Sequence, residues 1–159
     1  MHLIQSLVGF VGRALLSITF ISSGIHKIFD WQGTLGYFTQ TLNSWLALNV
    51  GNPSLQNLIE FGLGHASLLL ALATCLEVIG GILVFLGLWV RLGALMLIVF
   101  LVPASLVFHH FWQLQQPERQ MQMINFMKNV SILGGLFLVL AFGKGCKSGK
   151  SEKPREKEK

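Results

Sequence analysis

Apolar residues dominate four stretches of the chain, and polar residues collect between and after them. The stretches cover about residues 3–29, 66–88, 92–108 and 124–142. An α-helix rises about 1.5 Å per residue, so roughly 20 apolar residues cross a hydrocarbon core of about 30 Å. The pattern therefore predicts four transmembrane helices. The third stretch is the shortest, and its crossing takes in His109 and His110 at its end or proceeds with little tilt. The expected fold is all-α: an antiparallel four-transmembrane-helix bundle over residues 3–143, then a basic, disordered tail at 144–159.

The connecting segments carry their own periodicity. Leu35, Phe38, Leu42, Trp45 and Leu46 recur at helical spacing, which predicts a short helix over residues 34–48 on the outer surface or on top of the bundle. Asn52-Pro53-Ser54 reads as a further helix start with Ser54 as its cap, leading toward the second span with a bend at Gly62 and Gly64. Trp31, Tyr37, Trp45 and Trp112 suit the outer head-group level and Trp89 the inner one. Gly80, Gly81, Gly87, Gly93, Gly134 and Gly135 are placed to let helix backbones approach closely in lipid. Pro103 removes a hydrogen bond from the third span and predicts a kink there.

Composition and charge add a topology. Hydrophobic residues make up 52% of the chain and charged residues 12%, with a mean hydropathy of +0.60, which excludes an ordinary soluble domain. The formal charge of +5 comes from a tail holding Lys144, Lys147, Lys150, Lys153, Arg155, Lys157 and Lys159. Lys and Glu alternate there without an aromatic residue, so the tail reads as a solvated end touching anionic lipid and not as a nucleic-acid binder. Basic residues favour the cytoplasmic side, which assigns the tail, the Arg91 hairpin and both termini to the cytoplasm of a multi-pass inner-membrane protein. Ser22, Ser23 and Gly24 imitate a signal-peptide cleavage site, but only His2 precedes the apolar run, so the first helix is expected to be retained. Cys75 in mid-span and Cys146 in the tail lie too far apart for a disulfide, and no Cys-x-x-Cys pair supports dithiol chemistry.

Ionisable residues inside a membrane are expensive, so those present mark candidate chemistry. Counting along the helices places Glu77 and Arg13 near the bilayer centre, where they are expected to pair. Asn125, Lys128 and Asn129 project from one face of the fourth span, and Lys128 is a second candidate partner for Glu77. The expected buried polar cluster is Arg13, Glu77, Lys128, Asn125 and Asn129, serving either as structural glue or as a site for a proton, an ion or a polar head. His26, His65, His109 and His110 all fall at the outer level; they are weak metal or haem candidates, since their spacing matches no metal motif. His26, His109, His110 and Lys27 are candidates for holding a small polar ligand.

The order of these features resembles the DoxX family of four-span bacterial membrane proteins. Arg13 with Gly24-Ile25-His26-Lys27-Ile28-Phe29 resembles its first helix, and Glu77-Val78-Ile79-Gly80-Gly81 with Gly87 and Arg91 its second helix and hairpin. His109-His110-Phe111-Trp112 and Met123-Ile124-Asn125-Phe126-Met127-Lys128-Asn129 complete the pattern, which covers about residues 7–143. The doubled histidine, the Asn-rich linker and the Lys-rich tail depart from it.

The resemblance implies a membrane subunit of an oxidoreductase system with redox or other membrane-protein partners, and the polar residues of the outer layer add the expectation of a ligand site between the outer helix ends. Quinone is the candidate ligand, while no cofactor is evident: the chain has no nucleotide-binding glycine loop and no Fe–S cysteine set, so it is not a complete redox enzyme by itself. Two other classes stay open. One is a small proton-coupled transporter using Glu77, for which a homodimer would be required; the other is a non-catalytic scaffold acting through its small-residue faces.

Overall fold

The computed structural model describes residues 2–143; the expected tail at 144–159, with Cys146, lies outside the described residues. The chain forms α1 (His2–Phe29), α2 (Trp31–Leu48), α3 (Pro53–Gly64), α4 (Ala66–Leu86), α5 (Val90–Phe108) and α6 (Glu118–Phe142), with a 3-10 turn at Phe111–Gln113. There is no strand among the described residues. Four of the helices, α1, α4, α5 and α6, are long and apolar enough to span a membrane, so the fold is an all-helical membrane-spanning bundle.

The helices differ from the apolar pattern mainly at their ends. α6 begins at Glu118 instead of 124, because backbone hydrogen bonding continues into polar sequence and an acidic first turn suits a helix N-terminus. The first loop holds a helix from each of the two expected starts. Asn52, and not Ser54, caps the second of them: its side chain accepts a 3.2 Å hydrogen bond from the Leu55 amide, with Pro53 in the first helical position. α3 stops at Gly64, and His65 separates it from α4.

Packing follows from which faces are shared. About a third of the α4 and α5 spans is buried (33% each), against 11% for α1 and 6% for α6, so α4 and α5 are the inner pair. The core comprises Phe20 of α1, Val84 of α4, Ala94, Leu97 and Leu101 of α5, and Leu136 of α6. Around it, Leu7, Val8, Leu15, Ile18, Leu95, Val102 and Leu138 point outward, the arrangement expected of a protein solvated by acyl chains. α4 and α5 cross at Gly80 and Gly93, where a Cβ on either glycine would meet the other's carbonyl oxygen at 2.9–3.0 Å. Gly134 was expected to mediate such an approach, but a Cβ there meets nothing within 4 Å. Gly87 acts differently again: at φ 75° it forms the left-handed cap of α4, and its amide and that of Leu88 close onto Val84 and Leu83.

The register of α1 against α4 is set by small residues. A Cβ at Gly24 would strike the Val78 side chain, one at Gly81 would lie 2.9 Å from Ile21, and the Arg13 guanidinium sits beside Gly87. From the Gly24–Val78 level α1 runs only to Phe29, whereas α4 extends back to Ala66, leaving about 10 Å of α4 beyond the end of α1. α2 and α3 close this end of the bundle. Trp45 of α2 donates from Nε1 to the Val107 carbonyl (2.9 Å), and Tyr37 stacks on Phe108 with ring centroids 5.5 Å apart. Leu42 of α2 and Ile59 and Gly62 of α3 are buried beneath them.

Candidate functional site: a buried ion pair at the wall of an apolar cavity

Glu77 lies on the inner face of α4, about 16 Å from its first residue and only 1% exposed. Its carboxylate accepts a hydrogen bond and ion pair from the Lys27 ammonium of α1, the only salt bridge among the described residues. Lys27 also donates to Ser23 Oγ, one turn earlier, at 2.8 Å, and its Nζ stands 5.1 Å from the centre of the Phe100 ring. Ser23, Gly24 and Lys27 share a face of α1, and the missing side chain at Gly24 is what brings that face against Glu77.

Magnitudes explain why the charges occur together. An isolated ionised side chain at the bilayer centre costs roughly 2.5–3.5 kcal/mol on insertion scales. Unit charges about 4 Å apart at an effective dielectric near 20 attract by about 4 kcal/mol. That attraction offsets most of the roughly 5–7 kcal/mol that the two charges would cost separately, so they are better tolerated as a pair than apart.

The partners expected for Glu77 lie elsewhere. Arg13 sits beside Gly87, ten residues further along α4 and so about 15 Å from the level of Glu77. Counting depth from residue 3 misplaced Arg13, because residues 4–12 of α1 are all exposed and overhang the bundle. At that end the Arg13 cation lies beside Gly87, the C-cap of α4, a favourable position for positive charge, although its Nε and the Ser17 hydroxyl are buried without partners. Arg91 does the same for α6, donating to the Ala141 carbonyl at 3.3 Å. Lys128 is turned outward and exposed. Asn129 turns inward, donating to Ser105 Oγ at 2.9 Å, while Asn125 is half-buried. The five residues expected to cluster are therefore spread over three places.

His26, His65, His109 and His110 share one end of the bundle without converging. His26 and His65 are exposed, the latter with Nδ1 3.0 Å from the Phe61 carbonyl. His110 is buried, packs tilted against Trp45 with ring centroids 4.9 Å apart and places Nδ1 3.1 Å from the Val107 carbonyl. His109 pairs through Nδ1 with Gln122 Oε1 at 2.7 Å. Among the described residues no three His, Cys, Asp or Glu side chains are grouped to hold a metal ion.

A cavity of about 760 Å³ connects these observations. Its polar wall comprises Lys27, Glu77 and Ser23, with Asn129, His109, Thr19, Thr34 and Tyr37 at other points; the rest is mostly aromatic and aliphatic, including Phe20, Phe38, Leu76, Phe100 and Phe108. That volume lies in the range of small-molecule sites, which join an apolar body to a few placed polar groups. Gln122 Oε1 accepts a hydrogen bond from His109 Nδ1, which fixes the ring and leaves Nε2 outside that bond. The wall thus offers an ammonium donor and a carboxylate in contact.

The DoxX family profile matches residues 8–110, which span α1 from Val8 through α5 to His110. The chain belongs to the DoxX family. As a DoxX-family protein it is 28% identical over 136 residues to the inner membrane protein YphA of Escherichia coli (strain K12), covering 86% of this chain and 83% of that protein. No solved structure matches. The family match includes Lys27, Glu77, Phe100 and His109 but ends before α6, short of the residues 7–143 over which the resemblance was expected. The pair at the cavity wall therefore belongs to the family-matched part of the DoxX-family chain, and Asn129 does not.

Sequence reasoning had singled out both members of the pair but not joined them. The signal for Lys27 was present: Ser23 and Lys27 lie one turn apart on a single face, with Gly24 beside them. Phe100, Gln122 and the α2 contribution carry no such signal, since an apolar or amide side chain in a membrane helix has no spacing that marks it.

Proposed function

We propose that this DoxX-family protein is a membrane subunit of an oxidoreductase system, seated in the bacterial inner membrane with both termini in the cytoplasm, and that its cavity holds a quinone-sized amphiphile. The observation that carries the reading is the buried ion pair set into the wall of a largely apolar cavity. Lys27 donates a hydrogen bond to a carbonyl oxygen of the head, Glu77 holds the ammonium in place and takes up or returns a proton, and the Phe100 and Phe20 rings pack against the ring of the head. Electrons come from and go to protein partners, in keeping with the lack of a nucleotide-binding glycine loop and of an Fe–S cysteine set in the sequence.

Organic extraction of the protein purified in mild detergent tests this. Wild type is expected to carry co-purified quinone, and Lys27→Met and Glu77→Gln to lose most of it while still inserting and folding. Equal quinone in wild type and both variants, or none in wild type after growth with added quinone, would remove the site.

A further inference from the structure

The cavity is not sealed from the bilayer. α1 ends about 10 Å short of the first residue of α4, so the first turns of α4 have no α1 neighbour. There the cavity lining includes side chains that are also exposed: Leu69 (37%) and Leu72 (54%) of α4, and Leu58 (66%) and Phe61 (60%) of α3. Leu69 and Leu72 lie within a membrane-spanning helix, so their exposed surface faces acyl chains and not water. From these four residues the lining passes inward by way of Ala73 and Leu76 to Glu77, with no charged group on the way.

We infer that the cavity is loaded sideways from the bilayer, through a mouth between α3 and α4, and that its occupant is a long-tailed, lipid-soluble molecule. The inference rests on the ligand-site reading above and extends it to substrate class and route. The polar head passes between Leu58 and Phe61 on one side and Leu69 and Leu72 on the other, reaches Lys27 and Glu77, and leaves the tail in the mouth among the lipid chains. A water-soluble ligand would have to cross the same apolar passage without the enrichment that a tail provides in the membrane.

Two photoreactive probes separate route from site: an azido-benzoquinone with a decyl tail, and the same head with a methyl group in place of the tail. Both are photolysed with the full chain in lipid nanodiscs, and labelled peptides are mapped. At equal bulk concentration the tailed probe is expected to label the cavity lining more than about tenfold more than the tailless one, because the tail concentrates it in the bilayer from which the mouth opens. Leu72→Trp, which fills the mouth at an exposed position where added bulk does not overpack the core, is expected to cut labelling by the tailed probe about fivefold or more. Val102→Trp, on an outward face away from the cavity, is expected to change nothing. If Leu72→Trp fails to insert, Leu58→Trp blocks the opposite lip.

Equal labelling by the two probes, or full labelling in the mouth variants, overturns lateral loading and leaves the site standing. Failure of both probes to label the lining of wild type overturns the site reading, and lateral loading with it.

Discussion

Removing the carboxylate of Glu77 while keeping its shape, as in Glu77→Gln, leaves the Lys27 ammonium without its counter-charge in a largely apolar wall. Breaking one member of a buried ion pair costs roughly 3–5 kcal/mol, because the remaining charge is uncompensated. Lys27 retains Ser23 at 2.8 Å and the face of Phe100, and its side chain is 17% exposed, so the low end, about 3 kcal/mol, applies. Lys27→Met should cost a similar amount by stranding Glu77, whose side chain is 2% exposed. The double variant Lys27→Met/Glu77→Leu removes both charges, and replacing a buried pair by apolar groups is often neutral or stabilising by about 1–4 kcal/mol. The losses of the matching single variants, Lys27→Met and Glu77→Leu, should therefore not add. Reversible unfolding in bicelles, followed by steric trapping, measures the whole cycle. Single variants within about 0.5 kcal/mol of wild type, or losses that simply sum in the double variant, would refute the reasoning.

Three further outcomes follow from the packing. Gly24→Ala puts a methyl group onto the Val78 side chain and should cost about 1–3 kcal/mol in the same unfolding assay, recovered in large part by Val78→Ala. Gly80→Ala meets the Gly93 carbonyl at 3.0 Å as well as Leu97, so it should destabilise at least as much, and Leu97→Ala should not rescue it because the backbone oxygen stays. Trp45→Phe removes the hydrogen bond to the Val107 carbonyl, about 1 kcal/mol, and should raise amide hydrogen exchange in α2 while leaving α4 and α5 protected.

Most of the fold was legible because hydropathy over some twenty residues is a strong signal in a membrane protein. All four apolar stretches became spanning helices, and the aromatic periodicity of residues 34–48 became α2. The second loop helix was half-legible: its start was recognised but its cap assigned to Ser54, two residues beyond Asn52, which makes the bond. The site was legible in its parts. Glu77 stands out as a carboxylate in an apolar run, but its partner depends on how far α1 slides along α4, and hydropathy does not fix that register. Gly24 and Gly81 fix it, through contacts with Val78 and Ile21 that only the fold reveals. A slide of about 15 Å exchanges Arg13 for Lys27 as the nearest cation. Lys128 failed for a simpler reason: neighbouring helix positions differ by about 100°, so when Asn129 turns in toward Ser105, Lys128 turns out.

The most direct measurement is a dipolar-coupling distance by solid-state NMR in lipid bilayers, between 15N-labelled lysine ammonium groups and 13C-labelled glutamate carboxylates. A coupling that places the Lys27 nitrogen within about 4 Å of the Glu77 carboxylate, and that vanishes in both Glu77→Gln and Lys27→Met, is the predicted result. A Glu77 carboxylate with no lysine nitrogen in range, or one whose coupling survives Lys27→Met and disappears only in Lys128→Met, would contradict it.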